Sequence, residues 1–179
     1  MDVLDQIKTN LDNNQTLQQD IKGDMMQLIE LFHNTFPDVK LDTLNNRIQS
    51  VQVSKMNLYD RRGPVIYDSV NNEILFSKKS LEGDYDAKHM MMKGIIGLIS
   101  ACDNYYGFNK NNSLAALNLG ITEMIANTLV GNEGICDFEE ELLATNLICK
   151  IIGRDIMFDA FFNNDAETVF KKLLEAEVG

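Results

Sequence analysis

Residues Lys88–Ser100 read KHMMMKGIIGLIS, and the interpretation of this stretch decides how the rest of the chain is understood. Met90, Met91, Met92, Ile95, Ile96, Leu98 and Ile99 leave it without a polar face, which predicts a helix buried on most sides. Yet it keeps Gly94 and Gly97, and each glycine costs about 1 kcal/mol against alanine in a helix interior. It also carries Lys93 among apolar neighbours. Two glycines and a charge on an inner helix suggest positions that once served something other than packing.

The flanking segments supply the frame. Downstream, SLAALNLGITEMIANTLVG at 113–131 is nearly as apolar, with Asn118, Thr122 and Glu123 set into it. Two adjacent buried helices bearing a few polar groups are where a site would form. The first of these helices is expected over 85–105, and further helices over 137–153, 154–162 and 165–177, the last capped by Asn164 or Asp165. Upstream, SVQVS alternates, and PVIYDSVNNEILFS sets two β-rich runs around Asp68–Asn72. That pattern predicts an antiparallel hairpin, Val65–Tyr67 against Glu73–Ser77, added to a strand near Gln49–Lys55. Earlier still, Met25, Leu28, Ile29, Phe32 and Phe36 form a helical stripe that stops at Pro37, and a shorter helix starts at Asp42. Residues 1–20 are expected as a polar helix or arm, with Val3, Leu4, Ile7 and Leu11 at helical spacing, ahead of one domain over 21–179. A small, mostly antiparallel sheet followed only by helices is an α+β arrangement.

With 179 residues, 45% hydrophobic and 24% charged, the composition is that of a globular domain. The net charge of −11 argues against nucleic acid and anionic membrane surfaces, which need a basic footprint. The densest basic patch, YDRRG at 59–63, is short. No apolar run approaches the roughly 18 residues of a membrane span, and the N-terminus lacks a leader's apolar core, so a cytoplasmic protein is expected. Cys102, Cys136 and Cys149 show no metal-ligand spacing and are expected as reduced, buried thiols. The Asp-, Tyr- and Asn-containing stretches GDYD at 83–86 and DNYYGFNKNN at 103–112 lack calcium-loop spacing and are expected as solvated loops.

The hairpin YDSVNNEILFS, the helix DAKHMMMKGIIGLIS and the helix LAALNLGITEMIA follow one another in an order that resembles the zincin metallopeptidases, in the type whose third metal ligand is a glutamate on a second helix. LNLGITE is similar to the LNEGLTE segment of small bacterial zincin-like proteins, and the similarity extends over roughly residues 50 to 175. In that family HExxH places two histidines on one helix face toward zinc, and the intervening glutamate polarises water. Here the resemblance puts the first histidine position at Lys93, the general base at Gly94, the second histidine at Gly97 and the third ligand at Leu119. An ammonium, two hydrogens and an isobutyl group offer no lone pairs, so no metal and no cofactor are expected. Moving the frame to His89 recovers no site, and His89 itself is expected at the helix surface or partly satisfied. Glu123 lies one turn beyond Leu119, where the resemblance implies an acid that orients a metal-bound histidine. Its expected partner is Lys93, the ammonium standing in for the cation; the alternative is a lysine that snorkels to solvent. Gly94 and Gly97 would then either admit a close neighbour or record drift.

The resulting expectation is a catalytically inactive, zincin-like protein that acts as a protein-binding or regulatory partner. Its ligand would be an extended peptide on a sheet edge, at Glu73, Ile74, Leu75, Phe76 and Ser77 or at Gln49–Lys55, or else an intact homologue. The competing class is a metal-independent enzyme with Lys93, Glu123 and Tyr105 or Tyr106 as acid and base in an open cleft. A third is a structural subunit of a homo-oligomer, joined through the N-terminal helix.

Overall fold

Alternation of β-branched and polar residues yields three short strands in the computed structural model, which describes residues 2–56, 63–110 and 114–177. They are β1 (Gln52–Lys55), β2 (Val65–Asp68) and β3 (Glu73–Phe76), in the spatial order β1-β3-β2. The hairpin forms as its turn chemistry dictates. Asp68 Oδ1 accepts from the amides of Val70 and Asn71 at 3.0 and 3.2 Å, and Asn72 takes the left-handed conformation at φ 53°. Val65 then faces Phe76 and Asp68 faces Glu73. β1 joins β3 in parallel, Gln52 opposite Glu73 and Lys55 opposite Phe76, so the sheet is mixed rather than mostly antiparallel. β3 is consequently the central strand, and Ser77 lies just past its end.

The helices are α1 (Val3–Asp12), α2 (Gln19–Thr35), α3 (Asp42–Arg47), α4 (Lys78–Glu82), α5 (Ala87–Ile99), α6 (Ala115–Val130), α7 (Glu139–Ile152), α8 (Arg154–Phe162) and α9 (Ala166–Glu177). α5 is capped by Asp86, whose side chain accepts from the amides of Lys88 and His89. It ends at Ile99, six residues before the expected 105. Beyond it Ala101–Cys102 (β4) and Tyr105–Tyr106 (β5) form a small hairpin, closed by Asp103 at φ 47°. The short α4 occupies a stretch that had no expected element. Asp165 caps α9, accepting from the Thr168 amide at 3.1 Å.

One hydrophobic cluster runs through the molecule. α5 lies at its centre and touches the sheet on one side and α6 on the other. α1 is part of this body rather than a loose arm. Ile7 and Leu11 are fully buried in the core, and Asn14 donates to the carbonyls of Ile48 and Val51 at 2.9 Å each. Most of the apolar side of the N-terminal helix is thus spent inside its own chain, with Val3 and Leu4 packed against the core and partly buried. Among the described residues, no helix is long and apolar enough to cross a membrane. The Arg61–Arg62 pair of the basic patch lies outside the described residues.

Candidate functional site

α5 and α6 enclose a buried cluster of charge. Lys93 Nζ donates to Glu123 Oε2 at 2.6 Å, and both side chains are nearly inaccessible, Glu123 at 1% exposure. His89, one turn before Lys93 on the same face of α5, brings Nε2 to 2.8 Å from the other carboxylate oxygen. Its Nδ1 lies 2.6 Å from the carbonyl of Gly131, at the C-terminal end of α6. His89 is therefore buried with both ring nitrogens engaged, not exposed on the helix surface. The Cys136 thiol points at Glu123 Oε1 from 3.5 Å, and the ring of Phe138 covers Lys93 with its centroid 4.6 Å from Nζ.

Burial by itself would raise the Glu123 carboxyl. The hydrogen bond from His89 and the adjacent Lys93 ammonium outweigh it and hold the group down to about 2. Burial, with the Glu123 carboxylate beside it, pushes the Cys136 thiol up, which favours the S–H that points at that carboxylate. Cys102 and Cys136 are only half-buried, whereas Cys149 is buried; all three are free thiols.

The other face of α5 explains its glycines. A Cβ on Gly94 would sit 2.7 Å from Ile74 Cγ2, and one on Gly97 would sit 2.6 Å from Tyr67 Cβ. The missing side chains let β3 and β2 settle directly on the helix backbone. Ile74 and Tyr67 fill the space above the two positions where the family resemblance places the general base and a histidine.

Those positions do not fit a zinc ion. Gly94 and Gly97 contribute no donor, Lys93 contributes a cation already bound to Glu123, and Leu119 on α6 contributes hydrocarbon. Among the described residues, no group of three or more His, Cys, Asp or Glu side chains is placed to hold a metal.

A cleft of about 620 Å³ opens on the far side of Tyr67. One wall is β2 with the turn that follows it, from Val65 to Val70; the others are Asn104–Tyr106, Asn109, and Asn118 with Leu119 at the start of α6. Asn118 is buried and accepts from the Phe108 amide at 2.8 Å, which fixes the loop to α6. Asn109 Oδ1 is buried with no hydrogen-bond partner. Arg47 holds two rims together. Its guanidinium donates to the Tyr67 hydroxyl at 3.1 Å, to the Ser69 carbonyl at 2.8 Å and to the Asp103 carbonyl at 3.0 Å.

The structure thus unites Lys93 with Glu123 but separates them from Tyr105 and Tyr106, which line the cleft. The sheet edge also moves. Glu73, Ile74, Leu75 and Phe76 pair on both sides, Ile74 is fully buried beneath Gly94's position, and Ser77 is buried, so this strand cannot receive a peptide. The strand that borders the cleft is β2. His89 and Phe138 around the charge, and Arg47 and Asn109 around the cleft, were not singled out as site residues from sequence, whereas Asn118 was among the polar groups noted on the second helix. For His89 the i, i+4 spacing to Lys93 was a usable signal; the others depend on how distant loops run. Comparisons with family models, with curated proteins and with solved structures find no match for this chain.

Proposed function

We propose that the chain is a catalytically inactive, zincin-like protein that holds an extended polypeptide segment of a partner protein in the cleft between β2 and α6 without cutting it. The observation that carries this reading is the position of the cleft, with an outer strand as one wall and the LNLG turn of α6 as another. Its volume falls within the roughly 300–1,000 Å³ of ordinary ligand sites. An outer strand offers backbone groups to an incoming strand. Cleavage would need an activated water and a polarised carbonyl. The side chains at Gly94, Gly97 and Leu119 supply neither, and Lys93 is consumed by Glu123.

The metal-independent enzyme finds less support. Lys93 and Glu123 line none of four cavities outlined by described residues, and Phe138 closes over the lysine.

The test is a surface-bound array of unstructured ten-residue peptides, followed by calorimetry on the strongest binder and mass analysis of the recovered peptide. Binding should weaken at least tenfold in Leu119→Arg, which projects a charged side chain into the cleft, and the peptide should be recovered intact. An array without a binder, binding indifferent to Leu119→Arg, or a cleaved peptide would overturn the proposal.

A further inference from the structure

The buried charge between α5 and α6 contains a ring whose two nitrogens both face acceptors. His89 is 3% exposed. Its Nε2 lies 2.8 Å from Glu123 Oε1, and its Nδ1 lies 2.6 Å from the Gly131 carbonyl. A carbonyl only accepts, and the Glu123 carboxylate, held down to about 2, also only accepts. A neutral imidazole has one N–H and one lone pair, so it satisfies one of these oxygens and turns its lone pair on the other. Both contacts form only when both nitrogens carry a proton.

Most of the charge around the ring has the sign that suits a cation. Glu123 approaches from α6, and the carbonyl end of that helix, with its partial negative charge, abuts Nδ1. Asp86 caps the first turn of α5 and accepts from the His89 amide at 3.1 Å. The opposing group is the Lys93 ammonium, which shares Glu123 through the other oxygen. Cys136, from the connection between α6 and α7, reaches the same Glu123 oxygen as the ring. On the other sides of α5, Tyr67 of β2 lies over Gly97, further along the helix, and Asp24 of α2 lines a groove with Lys88.

Gly131 is also where the connection 131–138 begins, and this segment closes over the charge. Its outer ties are the Glu133 amide to Asp86 at 3.3 Å, the Ile135 amide to the Asp84 carbonyl at 2.9 Å, and Asp137 to Lys79 and Tyr85 at 2.7 and 2.9 Å. Phe138, at its far end, covers Lys93. The tie at the α6 end runs through the imidazole of His89.

We propose that His89 is a pH-dependent clasp: with both ring nitrogens protonated it fastens the 131–138 connection to α5, and loss of one proton to solvent releases that end and loosens the connection over Lys93 and Glu123. A local proton count is thereby converted into access to an interior charge pair, and the connection loosens as pH rises.

Two measurements on the full chain test it. His33 and His89 are its two histidines, so long-range proton–nitrogen correlation spectra of imidazole-labelled protein, assigned with a His33→Gln variant, read each ring separately. Both nitrogens of His89 should carry protons at about pH 6. Hydrogen exchange followed by mass spectrometry, corrected for the intrinsic effect of pH, should show the protection of 131–138 falling at least ~10-fold between about pH 6 and about pH 8.5, with α2 unchanged. His89→Gln keeps a donor but has no ring to titrate, so its protection should be equal at the two pH values. The ring spectra need no change at His89 and decide the matter even if His89→Gln folds poorly. A neutral His89 ring at the lower pH, protection of 131–138 that is the same at both, or a folded His89→Gln chain with the wild-type pH dependence would each overturn the proposal.

Discussion

Glu123 is asked to serve more partners than most buried carboxylates meet: an ammonium, an imidazole and a thiol. Each donor offsets part of the cost of taking the carboxylate out of water, and together they keep it ionised. Lys93→Met should therefore destabilise the fold by about 3–5 kcal/mol, because it strands the carboxylate rather than merely deleting a contact. The double variant Lys93→Met, Glu123→Met should recover much of that loss, as urea unfolding of the two proteins would show. Equal losses in the single and double variants would mean that the charges contribute independently. This pair was legible in the sequence, since Lys93 and Glu123 are opposite charges set among apolar residues on two adjacent helices. The burial of His89 was legible only in part, through the i, i+4 spacing that puts it on the face of Lys93. It depends on the rotation of α5 about its axis and on the Gly131 carbonyl 42 residues away.

At the scale of elements, the glycines of α5 act through the sheet that rests on them. Gly97→Ala meets Tyr67 Cβ, an atom fixed to the backbone of β2, whereas Gly94→Ala meets Ile74 Cγ2, in a side chain with some freedom to turn. Alanine gains about 1 kcal/mol of helix propensity, while overpacking a tight core costs typically 1–3 kcal/mol. Gly97→Ala should thus lose about 1–2 kcal/mol, and Gly94→Ala should be closer to neutral, a difference that paired thermal melts resolve. A gain in stability for Gly97→Ala would show that the helix and sheet are not in close contact there. The strands themselves were readable from alternation and from the Asp68–Asn72 turn. Their order was not, because periodicity reports which face a residue occupies and not which strand lies beside it. That gap placed the peptide edge on β3, which is central, or on the Gln49–Lys55 stretch, whose β1 is an outer strand away from the cleft, and not on β2. The apolar run through Ile99, Ala101 and Cys102 likewise reads equally well as helix or strand, and only the Asp103–Asn104 turn hints that a hairpin follows.

For the whole molecule, the sequence located the helical half well because α6 to α9 are long, periodic and punctuated by Gly131, Gly153 and Asp165. The cleft was not visible in it, since its walls come from β2, the β4–β5 hairpin and α6, tied by Arg47 from a fourth region. Charge and cleft are two consequences of one arrangement. Glu123 faces inward to Lys93, and Leu119, one turn earlier on the same helix, faces the cleft. The central claim is that a cation supplied by the chain itself, the Lys93 ammonium, occupies the inner side of α5, so that the positions of Lys93, Gly94, Gly97 and Leu119 hold no metal. Native mass spectrometry of the purified chain after dialysis against zinc tests this most directly. The account predicts the mass of the bare chain, 20.3 kDa per copy. One zinc ion retained per chain, and lost on Glu123→Gln, would contradict it.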